Sequence, residues 1–252
     1  MKYPELTIIT GANGQTAIHI AHELLKQNCR LLLIAHKRTD RAEKHVADYP
    51  NLCKLIKCDL TDFETTHTLI QNYISEAGII PDALVHTAAI RSYDAKTLAD
   101  SEPETWNSII SQNITMAYNV IRNVLPAMIE RRKGKIVLFG SNVTRTGLPY
   151  GSAYAAAKSA LANLVRSVAW EIAQSNVQIN MVSPAPIETN LEEDYSGDYL
   201  EFRKEYFEAY KKSHPSKKLI SVDEVTQVVL SLLNCKLNAV SGEEIYITGG
   251  VL

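Results

Sequence analysis

The order of segments predicts a doubly wound α/β fold, a seven-stranded, mostly parallel sheet with helices on both faces. Three observations carry this. Short continuous apolar runs recur along the 252 residues, longer segments of helical period stand between them, and a glycine turn joins the first run to the first helical segment. Continuous apolar strands alternating with helices need both sheet faces covered, through right-handed crossovers.

The first strand, ELTIIT at 5–10, runs into Thr10-Gly11-Ala12-Asn13-Gly14-Gln15-Thr16-Ala17 and a helical pattern at 15–27. A glycine turn there lets backbone approach a pyrophosphate, while the helix N-terminus offers free N–H groups and the positive end of its dipole. Gly11, Asn13, Gly14, Gln15 and Thr16 are therefore candidate cofactor contacts, against the alternative of an ordinary strand-to-helix turn. The second strand, RLLLIA at 30–35, ends in His36, Lys37 and Arg38, with no carboxylate before Asp40. An acidic residue at that place binds a ribose 2′-hydroxyl and a cation accommodates a 2′-phosphate, so the turn favours NADP(H) over NAD(H). The alternative is a solvated basic turn with no bearing on the cofactor.

CKLIK at 53–57 reads as the third strand, with a helical segment at 62–76. DALVHTA at 82–88 is the fourth, followed by a long helical segment at 103–131. The fifth, KIVLFG at 135–140, puts Ser141 at a strand's carboxyl end, where ligands bind in open α/β sheets. The segment 153–174 is rich in helix formers with an apolar stripe, so Tyr154 and Lys158, four apart, share one face. An ammonium beside a phenol favours the phenolate and lowers the tyrosine pKa from about 10, which makes Tyr154 a credible proton donor. Taken singly, Tyr154 reads equally as a half-buried aromatic and Lys158 as a solvated charge. VQINMV at 177–182 and EIYIT at 244–248 complete the strands, with a helical segment at 221–233 between them.

No linker or repeat divides residues 1–252, so one domain is expected. The stretch 186–218 stands out, because long connections in compact domains are often lids or binding loops. It reads either as a substrate lid or as a solvated amphipathic helix, and Asp194, Tyr195, Tyr199 and Tyr206 are its candidates for facing a substrate. Together with 90–100 and 142–152 it would shape the pocket.

A formal net charge of -2 argues against chain-wide attraction to nucleic acid or anionic membrane, and 46% hydrophobic content supports a sizeable core. Arg131-Arg132-Lys133-Gly134-Lys135 reads as a solvated turn and not a nucleic-acid patch. Cys29, Cys53, Cys58 and Cys235 form no C-x-x-C pair, which fits buried thiols in a reducing cytosol. No run is long enough for a membrane span, and the start lacks a signal peptide's apolar region, so a cytoplasmic protein is expected. His19 and His22 lie three apart on the first helix with no further ligand nearby, so they read as surface residues and no metal site is expected.

Together these residues resemble the short-chain dehydrogenase/reductase family from Thr10 to Gly250. Ser141 stands thirteen residues before the tyrosine of Tyr154-x-x-x-Lys158, as in the family's catalytic pattern, and Asn113 falls where its tetrad asparagine lies. Asp59 and Leu60 look like the segment meeting adenine, His86-Thr87-Ala88-Ala89 stands where Asn-Asn-Ala-Gly is common, and Pro184, Ile187 and Thr189 look like the segment closing over nicotinamide. The Thr-Gly-x-x-Gly-x-x-Ala spacing is nearer the family's extended branch, and Gln15 and Ala17 stand at places often held by glycine. The resemblance implies a ketone–alcohol oxidoreductase, similar in layout to 3-oxoacyl-thioester reductases. Tyr154 would then protonate the carbonyl oxygen, Ser141 would hold it, Lys158 would grip the cofactor ribose, and Asn113 would keep a water in a proton path. It also implies a homodimer or homotetramer built through the long helices. Two other readings stay open, a cofactor-sensing protein without turnover and an epimerase or dehydratase of the extended type.

Overall fold

The computed structural model describes residues 3–91, 94–234 and 236–251. Cys235, and Ser92 and Tyr93 of the stretch 90–100, lie outside the described residues.

Seven strands form one sheet: β1 (Leu6–Thr10), β2 (Arg30–Ala35), β3 (Cys53–Lys57), β4 (Ala83–His86), β5 (Gly134–Phe139), β6 (Val177–Pro184) and β7 (Glu244–Ile247). Their order is β3-β2-β1-β4-β5-β6-β7, and every pairing is parallel. The direction of winding reverses between β1 and β4, which opens a crevice at their carboxyl ends. Side chains on a strand alternate between faces, and two cores result. Ile8 and Leu32 pack beneath α3 (Phe63–Ala77), α4 (Pro103–Glu130) and α6 (Ser152–Glu171). Ile9, Leu31 and Leu33 pack beneath α1 (Gln15–Lys26) and α8 (Val222–Leu233).

Local chemistry fixes several helix starts. Ser221 and Glu224 form a reciprocal capping box at α8, and Asp62 accepts the Thr65 N–H at α3. The helix α2 (Asp40–Asp48) was not read from the sequence, because only Ala42 of its nine residues is buried and so polar a segment has no apolar period to detect. A short helix α5 (Val143–Thr146) follows β5.

The stretch 186–218 leaves the sheet and returns to it. Ile187 bridges Ile220 at its base, and between them stand a single 3₁₀ turn, Leu191–Glu193, and α7 (Gly197–Ser213). Buried His214 fastens the end of α7 by donating from Nε2 to the Thr248 carbonyl at 2.7 Å. Tyr150 of the α5–α6 connection meets Phe202 edge-on, with ring centroids 5.9 Å apart.

Two expectations are corrected. The basic turn 131–135 is not merely solvated, since Arg131 and Lys133 hold the buried Asp82 carboxylate at 3.2 and 2.8 Å and the Lys135 ammonium donates to the Leu237 carbonyl. An unpaired carboxylate so deep would be costly, and the cations offset that. His19 and His22 are half-buried rather than surface residues, and the His22 ring packs edge-on against His45. Among the described residues no helix is long and apolar enough to cross a membrane, and no three His, Cys, Asp or Glu side chains are grouped to hold a metal ion.

Candidate active site

A cleft of about 760 Å³ lies along the carboxyl ends of the strands. At one end is the β1–α1 turn. Gly11 has φ +65°, and a Cβ there would stand 2.6 Å from the Ala88 nitrogen, so the turn is built from bare backbone pressed against the β4 loop. Gly14, Gln15 and Thr16 line the cleft beside it. Gly14 carries the N-cap of α1, so free N–H groups of the first helical turn face this space. Asn13 does not line the cleft. Its Oδ1 accepts the Arg41 N–H at 2.8 Å and its Nδ2 donates to Asp40 at 3.0 Å, which commits the side chain to the start of α2.

His36, Lys37, Arg38, Asp59 and Leu60 form the next wall. Asp59 accepts from the Thr61 N–H and hydroxyl at 2.9 and 2.8 Å, and these bonds hold its carboxyl below the usual range. The β2 turn is not the carboxylate-free surface that its local sequence promised. Asp194 lies 3.3 Å from the Arg38 guanidinium and 2.9 Å from that of Arg41, and Glu193 lies 2.6 Å from Arg41. Gln15 joins this clasp, donating to Asp194 at 2.8 Å and to the Asn190 carbonyl at 2.7 Å. The stretch 186–218 thus reaches across the cleft to the β1–α1 turn, where its Glu193 and Asp194 carboxylates pair with two arginines.

At the other end stands Tyr154, 4% exposed, with Lys158 one helical turn on and 1% exposed. The Lys158 ammonium donates to the Phe139 carbonyl at 2.6 Å, which fixes its position at the end of β5. Arg91 donates from Nη2 to the Tyr154 oxygen at 3.4 Å, and its guanidinium lies 4.7 Å from the centre of the Tyr154 ring. Burial is the largest influence on the phenol and raises its pKa, but the charges of Arg91, Lys158 and Arg203 together outweigh it and bring it below 10.0. Lys158 is itself held below its ordinary value, by burial first, with Tyr154 opposing and Arg91 adding to the shift. Beneath it His86 is fully buried, bonded through Nδ1 to the Thr10 hydroxyl at 2.7 Å, and pushed down to about 3 by burial and by Lys158. A neutral imidazole therefore stands in the β4 motif and adds no further cation.

Ser141 lines the same cleft, and its Oγ makes only long contacts of 3.5 Å with Asn142 and Val143 among the described residues. Asn113 is buried outside the cleft wall, where it donates to the Ile90 carbonyl at 2.8 Å and accepts the Ile90 N–H at 3.1 Å. It thereby pins the residue next to Arg91. Ala88, Pro184, Ile187 and Thr189 line the middle of the cleft. Of the four lid candidates, Asp194, Tyr195 and Tyr206 face it, while Tyr199 packs on Tyr195 and Phe202 behind.

Arg41, Arg91 and Arg203 were missed in the sequence. Arg203 carried a signal, since it sits three and four residues before Tyr206 and Phe207, inside the aromatic stripe of α7 rather than on its polar face. Arg91 follows the carboxyl end of β4, the position at which a ligand contact is to be looked for.

A family model described as Enoyl-(Acyl carrier protein) reductase matches residues 11–252. The 3-oxoacyl-[acyl-carrier-protein] reductase of Buchnera aphidicola subsp. Baizongia pistaciae is 28% identical over 98% of this chain and 97% of its own. The corresponding reductase of Escherichia coli (strain K12) is 25% identical with the same coverage. Among solved structures, ElxO with NADP bound superposes with a TM-score of 0.86 at 24% identity, covering 98% of both chains. The 3-oxoacyl-[acyl-carrier protein] reductase of Brucella melitensis gives 0.83 at 23%, over 98% of this chain and 91% of the other. At such identities the superpositions speak for the fold.

Proposed function

Since the chain belongs to the short-chain dehydrogenase/reductase family, we propose that it reduces a ketone to a secondary alcohol with NADPH, using Tyr154 as the general acid. The observation that carries this is Tyr154, which lines the same cleft as Ser141 and whose hydroxyl is brought below its ordinary pKa by surrounding cations despite its burial. The cleft fits the cofactor on its own geometry. The bare backbone at Gly11, which a Cβ would fill, and the open N-terminus of α1 suit a pyrophosphate, and Arg38 and Arg41 suit a 2′-phosphate. Gly14, Gln15, Thr16, His36, Lys37, Asp59, Leu60, Ala88, Pro184, Ile187 and Thr189 would complete its binding surface, with Lys158 at the ribose; Asn13 would act indirectly, through α2. When bound, NADPH supplies the hydride.

The chain's own part is positioning and proton transfer. Ser141 and Tyr154 hydrogen-bond the carbonyl oxygen, and Tyr154 gives up its proton as negative charge gathers there. Arg91 and Lys158 stabilise the phenolate left behind. Asn113, by holding the Ile90 backbone, keeps the Arg91 loop in register with Tyr154. The stretch 186–218 serves as the lid. Its clasp on Arg38 and Arg41 must open or rearrange for a 2′-phosphate to replace the Glu193 and Asp194 carboxylates.

The cofactor choice is testable by equilibrium binding. Wild type binds NADPH more tightly than NADH, and Arg38→Ala combined with Arg41→Ala weakens NADPH by about 10-fold or more, since each charge-assisted bond contributes about 1.5–3 kcal/mol. NADH affinity changes far less. A wild type that prefers NADH would show that the two arginines serve only the lid.

Assembly into a homodimer or homotetramer through α4 and α6 is supported by the apolar surface these helices leave uncovered. Trp170 is 85% exposed on α6, and Tyr118 and Ile129 are exposed on α4. Sedimentation at micromolar concentration should give a dimer or larger, shifted toward monomer by Trp170→Glu. A monomeric wild type would refute the interface. We place the protein in the cytoplasm, a setting suited to the buried thiols of Cys29, Cys53 and Cys58.

A further inference from the structure

We propose that the substrate is an oxo acid, a ketone carrying a carboxylate close to the carbonyl, with that carboxylate bound between Arg91 and Arg203. The reduction itself rests on the reading above; the anion site rests on the following geometry. Arg91, Tyr154 and Arg203 line the same cleft, with Arg91 within hydrogen-bonding reach of the Tyr154 oxygen. A carbonyl bonded to Tyr154 therefore has a guanidinium beside it.

Arg203 comes from the lid helix α7 and is 6% exposed. Its guanidinium lies among three rings, 5.6 Å from the centre of Tyr195, 5.7 Å from Tyr206 and 4.7 Å from Phe207. Aromatic faces stabilise a guanidinium by cation–π attraction and hold its plane in place, but they do not occupy its in-plane donors. Its Nε is buried with no hydrogen-bond partner among the described residues. Burial weighs most on its charge, and among the described residues the strongest electrostatic influences after burial are Arg91, which repels it, and the phenols of Tyr195, Tyr199 and Tyr154. A buried, ring-clamped arginine whose Nε is unbonded and which has a like charge nearby gains when an anion enters. The planar fork of the guanidinium matches a carboxylate. Because Arg203 rides on α7, an anionic substrate also holds α7 in place over the carbonyl, so recognition and enclosure are coupled. A carrier thioester has a neutral group next to its ketone and brings no charge to the Arg203 fork.

The test compares 2-oxobutanoate, 3-oxobutanoate and 4-oxopentanoate with their methyl esters. Binding is measured by calorimetry to the NADP⁺-loaded protein, and reduction is measured with NADPH. At least one acid should bind about 10-fold or more tightly than its ester. That acid-over-ester ratio should fall by a factor of about 10, to near parity, in Arg203→Met and in Arg91→Met, because one partner of a buried charge pair is removed. Arg203→Lys, which restores the charge, should recover part of it, and NADP⁺ binding by each variant reports its folding. Esters bound as well as acids, or a ratio unmoved by both Met variants, would overturn the proposal. The two readings fail separately. Tyr154-dependent reduction without acid preference overturns the anion site alone, whereas arginine-dependent acid binding without any reduction overturns the reductase reading and keeps the anion site.

Discussion

Tyr154→Phe should lower kcat/KM for carbonyl reduction by about 10²–10⁴-fold, the usual contribution of a positioned general acid, while the protein still folds and binds NADPH. The ring keeps its packing, so the loss isolates the hydroxyl. The pH profile gives the same residue a second signature. Reduction needs the protonated phenol, so the rate falls as pH rises through the Tyr154 pKa, which the nearby cations place below 10.0. Removing the Arg91 charge by Arg91→Met withdraws a lowering influence, and the alkaline limb moves upward. Oxidation of the alcohol runs the other way, rising with pH as the phenolate forms. A Tyr154→Phe enzyme that keeps its rate, or an alkaline limb that ignores Arg91, would place the acid elsewhere. A cofactor sensor would bind NADPH and show neither effect.

Gly11→Ala should all but abolish cofactor binding and lower stability. The left-handed φ of +65° costs a residue with a side chain about 1–2 kcal/mol, and the added methyl would also lie 2.6 Å from the Ala88 nitrogen and 2.7 Å from the Thr87 hydroxyl. The hydroxyl can turn away, but Ala88 is backbone and must move. Since Thr87 also donates to the Thr10 carbonyl at 2.7 Å, that movement pulls on the ends of β1 and β4 together. The expected result is a lower thermal midpoint and an NADPH affinity reduced by about 100-fold or more, a loss of roughly 3 kcal/mol. A Gly11→Ala variant that binds NADPH normally would show that the nucleotide does not approach this turn.

The sheet was legible because all seven strands are apolar and buried or half-buried, so their runs stand out against helical periods. The pairing of Tyr154 with Lys158 was legible for a related reason. Tyr154 and Lys158 lie on one helix, where four residues fix their relation before any tertiary contact forms. What stayed hidden depends on distant segments meeting. The β2 turn reads as purely basic over residues 36–38, yet besides Asp40 the carboxylates that pair with Arg38 and Arg41 come from residues 193 and 194, across the cleft. Asn13 looks like a phosphate ligand in its motif, but the start of α2 claims its side chain. Arg91 and Arg203 are 112 positions apart and become neighbours of one phenol only once α7 folds over the cleft. No local pattern records such an encounter, although an arginine inside an aromatic stripe hints that it will be buried.

Reduction of a carbonyl beside a bound nicotinamide in this cleft would leave an isotopic record. Given NADPH deuterated on the transferable face of C4 and a reducible oxo acid, the secondary alcohol formed should carry one deuterium on its carbinol carbon, at a rate that collapses in Tyr154→Phe. Alcohol formed without the label, or no alcohol from any carbonyl compound in the presence of tightly bound NADPH, would contradict it.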